Sequence, residues 1–226
     1  MRRGLAIILS GLVLSACASG PSGHRGAGGI AFRPAANPTG VLTADLAFAR
    51  AYQTDGLDHA RRDYAFENTV FLGPDDRNGL PAMTGWRPYN VWSSCDGSLA
   101  ATYGAYEQSA RNFGDYVTIW RRAEKGEYRA VVRLARQLPA PAKRPEFAQA
   151  KTAQCGADHL FHDARSDRPD FSAIDPTAPS GAAFDDTLTY RWAADDDSFI
   201  RVSMMRDGEM QPIIDFHSPM REKGER

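Results

Sequence analysis

The sequence predicts an α+β fold in which N-terminal helices pack on a curved antiparallel sheet, a cone, with an appended C-terminal β meander. Three observations lead there. Between Val41 and Thr54, Gly and Pro are absent and apolar residues recur at three- and four-residue spacing, the period of a helix with one buried face. From Thr69 to Arg136, β-branched and aromatic runs are separated by turn pairs such as Asp96-Gly97 and Lys125-Gly126. A final set of such runs, turning at Asp195-Asp196-Asp197 and Asp207-Gly208, lies beyond a stretch rich in Asp, Pro, Ser and Gly.

Residues 1–16 are expected to be removed rather than folded. Arg2 and Arg3 precede the apolar run Leu5 to Leu14, which is too short to span a bilayer, and small residues then lead to Cys17. Leu14-Ser15-Ala16-Cys17 resembles the lipobox of bacterial lipoproteins. That resemblance implies a diacylglyceryl thioether on Cys17, cleavage before it and acylation, palmitate included, of the new amino terminus; more than one acyl chain makes an anchor durable. Ala18 in place of Asp resembles the pattern that sorts to the outer membrane. The expected address is the cell envelope, lipid-anchored and facing the periplasm. No later apolar run reaches about 18 residues, so no transmembrane helix is expected.

Loss of residues 1–16 takes the formal net charge from −1 to −3, which leaves no basic field for nucleic acid. With 42% hydrophobic and 24% charged residues, the rest has the composition of a water-facing globular chain. Residues 17–39 carry almost no large apolar side chains and read as a flexible tether.

The first helix runs from Val41, with Leu42, Leu46, Ala49 and Gln53 as its repeating positions and Phe48 and Tyr52 widening the stripe. Gly56 is its expected stop. A second helix, Leu57 to about Glu67, has Leu57, Ala60 and Tyr64 on one face and Asp58, Arg61 and Arg62 on the other. Strands are expected at Thr69–Leu72, Tyr89–Ser94, Ser98–Tyr106, Asp115–Arg122 and Tyr128–Arg136, the hairpin at Asp96-Gly97 being the clearest local signal.

Three segments carry a family resemblance: Val41 to Ala51, Trp92 to Ala100 and Tyr116 to Arg122. They are similar to bacterial exported proteins of the nuclear transport factor 2-like superfamily, the SnoaL-like or ketosteroid-isomerase-like cones. The resemblance covers roughly residues 40–137 and implies a sheet wrapped around helices with a pocket between them. Enzymes, binders and dimerisation modules all use such a fold, so it does not decide function.

The domain plan is therefore signal peptide 1–16, tether 17–39, cone domain 40–138, linker 139–183 with a short helix from Pro145 to Ala153, β meander 184–218 and a charged tail 219–226. With Cys17 assigned to lipid, Cys95 and Cys155 remain as an even pair in an oxidising compartment, which reads as a disulfide. In the chain-entropy model a bridge closing a loop of that size stabilises by roughly 4 kcal/mol. The competing reading, zinc on Cys155 with His159 and His162, suffers from having only two residues between the histidines.

Candidate chemistry is sparse. His59, Asp63 and Tyr64 on the second helix are the acid–base candidates, but Arg61 and Arg62 beside them favour a solvated surface pair, and no catalytic residue is assigned. Trp86, Tyr89, Trp92, Tyr106, Tyr116 and Trp120 crowd the strands as a candidate ligand wall, with core packing as the plainer alternative. Arg87 is a candidate rim contact for an anionic group. Asp75-Asp76-Arg77-Asn78-Gly79 lacks the terminal carboxylates of a calcium loop, and no cofactor or metal site is expected. The expected function is binding of a small apolar ligand or an envelope partner without catalysis. The alternatives are a SnoaL-like isomerase or hydratase acting on a hydrophobic carbonyl compound, and a structural module forming homodimers.

Overall fold

The computed structural model describes residues 36–73, 84–109, 112–156, 178–195 and 197–219. The signal peptide, Cys17, most of the tether, the loop holding Asp75 to Gly79, and His159 and His162 lie outside the described residues.

Helix α1 spans Pro38–Asp55. Pro38 occupies its first turn, where a missing N–H costs nothing, and the Asn37 side chain accepts the Gly40 N–H at 2.9 Å. It ends at Gly56, whose φ of 87° suits glycine and whose N–H donates to the Tyr52 carbonyl. Its buried face is Val41, Asp45, Phe48 and Ala49, with Tyr52 packed alongside, while Leu46 is 42% exposed. The stripe is thus rotated from the expected Leu42–Leu46–Ala49–Gln53 row, because the larger Phe48 and Tyr52 face the sheet and carry Asp45 in with them. Helix α2, Leu57–Tyr64, stops short of Glu67 because β1, Ala65–Leu72, has already begun.

Strands β2 (Thr84–Ser93), β3 (Leu99–Ser109), β4 (Asn112–Arg122) and β5 (Tyr128–Leu138) form the expected antiparallel meander. Both edges of the sheet are added in parallel: β1 pairs with β5, and β6 (Gln149–Thr152) pairs with β2. The six strands run β1-β5-β4-β3-β2-β6. A second, antiparallel sheet of order β10-β9-β8-β7 is made by β7 (Ser180–Ala182), β8 (Leu188–Ala193), β9 (Asp197–Arg206) and β10 (Glu209–Pro219).

Two features of the expected fold are overturned. The α+β cone with an appended meander gives way to a sheet-dominated molecule, with two helices against ten strands among the described residues. The large sheet is mixed rather than antiparallel. Its helix-facing side packs Phe48, Trp86, Tyr116 and Trp120 together, whereas its other side shares one core with the second sheet through Leu99, Val117, Leu188, Ile200 and Phe216. Strand β4 is accordingly buried on both faces from Gly114 to Arg121. The short helix expected from Pro145 to Ala153 is instead strand β6, because the open edge of β2 supplies backbone partners and Ala153 N–H donates to Ser93 C=O at 2.8 Å.

Cys95 and Cys155 are joined in a disulfide with Cα atoms 5.3 Å apart, closing a separation of 60 residues. It ties the β2–β3 turn to the segment after β6. The same turn is held to the second sheet by Cys95 N–H donating to Thr187 Oγ1 at 2.9 Å and Asp96 N–H to Asp185 Oδ2 at 2.7 Å.

Candidate functional site

Asp45, fully buried, faces the sheet from the centre of α1. Three side chains donate to it: Trp86 Nε1 to Oδ1 at 2.9 Å, Tyr116 Oη to Oδ1 at 3.1 Å and Thr102 Oγ1 to Oδ2 at 2.5 Å. Trp120 Nε1 in turn donates to Thr102 Oγ1 at 2.9 Å. Gly104 makes room for this arrangement, since a Cβ there would lie 2.6 Å from the Tyr116 hydroxyl. A helix that buries a carboxylate among four aromatic and hydroxyl side chains of three strands is held in one rotational setting.

Arg133 on β5 shares this enclosure and is also fully buried. Its guanidinium carbon lies 3.3 Å from the centre of the Trp86 ring, 4.1 Å from that of Tyr116 and 5.3 Å from that of Phe48. None of its three nitrogens has a hydrogen-bond partner among the described residues, and neither has the buried hydroxyl of Thr118. Burial pulls the Arg133 pKa down to about 10, with the charge of Asp45 and the phenol of Tyr116 opposing the shift. The guanidinium therefore keeps its proton at neutral pH. Burial and the Asp45 charge together push Tyr116 well above the ordinary phenol value, so it stays a donor.

Ring contacts stabilise such a cation by about 2 kcal/mol or more when it is desolvated, but they do not satisfy its N–H donors. An interior guanidinium with open donors is what a site for an acceptor-bearing molecule requires. Tyr52, half-buried and close enough for the Arg133 charge to oppose the rise that burial imposes on its pKa, meets Trp86 edge-on with ring centres 6.3 Å apart.

Of the six aromatics singled out in the sequence, Trp86, Tyr106, Tyr116 and Trp120 lie on the helix-facing side, and Trp86 and Tyr116 meet at an interplanar angle of 48° with ring centres 4.7 Å apart. Trp92 lies on the opposite side in the core between the sheets, and Tyr89 meets Tyr103, which packs there too. The six do not form one wall. Arg87 is exposed. His59 and Asp63 form an exposed pair at 3.3 Å on α2, and Tyr64 is partly buried against the helix-side core. None of these three reaches Asp45 through a hydrogen bond.

The sequence reading missed Asp45, Thr102, Thr118 and Arg133. Asp45 was detectable from spacing, since Val41, Asp45, Phe48 and Tyr52 follow one another by four, three and four residues. Arg133 was detectable as a charge inside the run Val131-Val132-Arg133-Leu134-Ala135. Among the described residues no group of His, Cys, Asp and Glu is placed to hold a metal ion, and no helix is long and apolar enough to cross a membrane. No protein-family model matches the chain, and no curated protein matches it.

Proposed function

We propose that the chain is a lipid-anchored envelope protein whose folded part holds a small molecule between α1 and the six-stranded sheet without transforming it. The observation that carries this reading is Arg133, buried, charged and lacking any hydrogen-bond partner among the described residues. Leaving such a group open costs stability, and a bound acceptor would recover it. The likeness of Leu14 to Cys17 to a lipobox supports the anchor, and the burial of Asp45 and Arg133 between α1 and the sheet supports a site on this side of it. The test is native mass spectrometry of full-length protein extracted in mild detergent, with thermal unfolding before and after exhaustive exchange. A co-purifying small molecule whose removal lowers Tm is the expected result; a ligand-free mass with unchanged Tm would sink the reading.

A second reading, isomerisation or hydration of a hydrophobic carbonyl compound, is favoured by Asp45 and Tyr116 sharing the enclosure. It requires Asp45 as a base, yet three of the carboxylate's four acceptor positions are already occupied. Turnover abolished by Asp45→Asn, with binding retained, would establish it over the first.

A further inference from the structure

We infer that the molecule held at Arg133 is a monocarboxylate with a flat or narrow apolar body. This rests on the binding reading above and names the ligand class. The register across the sheet is the starting point: Thr102 on β3 stands opposite Thr118 on β4, and Thr118 stands opposite Arg133 on β5. Along that row Thr102 is committed to Asp45 and Trp120. Its two neighbours are not: the Thr118 hydroxyl and all three Arg133 nitrogens have no partner among the described residues. The open polar atoms therefore belong to paired residues of neighbouring strands, one hydroxyl and one guanidinium fork on the helix-facing side of the sheet.

That set of donors fits a carboxylate. The planar fork of arginine pairs with two carboxylate oxygens at once, and a threonine hydroxyl adds a third bond without adding charge. Asp45 does not fill the role, because its oxygens are turned to Trp86, Thr102 and Tyr116. Its charge lies near enough to oppose the effect of burial on Arg133, so the enclosure already holds one negative and one positive charge. Because Asp45 already balances Arg133, a monoanion adds one negative charge to the enclosure; a phosphate dianion would add two and bring more acceptors than these donors can meet. The rings of Phe48, Trp86 and Tyr116 around the guanidinium set the apolar, flat character of the rest of the ligand.

The test is calorimetric titration of full-length protein in a neutral detergent with phenylacetate and hexanoate, each set against its primary amide, and with inorganic phosphate. The acids bind, and the amides bind at least about tenfold more weakly because the charge-assisted pair is lost. Phosphate does not compete. Arg133→Met removes acid binding while the variant still unfolds in one cooperative transition, and Thr118→Val weakens the acids severalfold with Tm unchanged. Amides that bind as tightly as acids would overturn the carboxylate and leave the binding site standing. Acids that bind Arg133→Met undiminished would remove Arg133 from the site. No binding by any probe, together with a ligand-free mass after mild extraction, would take down both this inference and the binding reading.

Discussion

Strand β5 carries two arginines three residues apart that face opposite sides of the same sheet, and their surroundings differ. On the side of the second sheet, Arg136 clasps Asp115 with two bonds, Nε to Oδ1 at 2.8 Å and Nη2 to Oδ2 at 2.9 Å, while Nη1 donates to the His217 carbonyl at 3.2 Å. Tyr103 donates its hydroxyl to the same aspartate at 3.0 Å. Every nitrogen of Arg136 has a partner, and the group ties β5 to β10. On the helix side, Arg133 has an aspartate nearby whose oxygens accept from Trp86, Tyr116 and Thr102 instead, and its own nitrogens are open. The chain therefore can close an Asp–Arg pair when it serves packing. The open one marks where something other than the protein is expected to bind.

The comparison can be broken by substitution, and the largest effect is expected at Asp45. Asp45→Ala leaves three buried donors without an acceptor and removes the charge that supports Arg133, so urea unfolding should show a loss of about 4 kcal/mol. A loss below about 1 kcal/mol would mean that α1 is not held through this carboxylate. Asp115→Ala should cost less, about 2 kcal/mol, because the Arg136 side chain is 36% exposed and can rehydrate. The two arginines separate in ligand-free protein once the charge of Asp45 is removed as well: Arg136→Met lowers stability by about 1 kcal/mol, whereas Arg133→Met added to Asp45→Asn costs nothing beyond Asp45→Asn alone. A further loss of about 1 kcal/mol on adding Arg133→Met would mean that Arg133 is a packing residue like Arg136.

Gly104→Ala probes the enclosure without touching charge. The new methyl group would press on the Tyr116 hydroxyl and on the Arg87 carbonyl, and a loss of about 2 kcal/mol is expected by chemical unfolding. The smallest effect belongs to the outer sheet. A hydrogen bond to Asp197, with a second to Asp215, raises the His217 pKa above its ordinary value although partial desolvation works against it. Its contribution is complete below the unfolded value of 6.5 and is lost as pH rises through the raised folded value. Tm should fall by about a degree between about pH 6 and about pH 8.5 in wild type, and His217→Gln should flatten that slope.

Local signals made the strands legible and left their assembly hidden. Asp96-Gly97, Lys125-Gly126 and Asp207-Gly208 sit at the turns between β2 and β3, β4 and β5, and β9 and β10, where Gly97, Gly126 and Gly208 all have positive φ. Strand β6 was not legible, because Gln149–Thr152 is exposed throughout and is a strand only through pairing with β2. The parallel edges and the second sheet's packing depend on contacts far apart in the chain, which period and turn chemistry do not report. Within the site, Trp86 and Tyr116 stood out by residue type. Asp45 and Arg133 did not, since a charged residue type ordinarily signals the surface while their spacing carries them into the core.

The most direct test is a crystal structure of full-length protein purified without added ligand, at a resolution that distinguishes water from a bound molecule. The expected map has non-protein density within about 3 Å of the Arg133 nitrogens and the Thr118 hydroxyl. An Arg133 side chain bonded instead to Asp45, or satisfied by water alone, would contradict it.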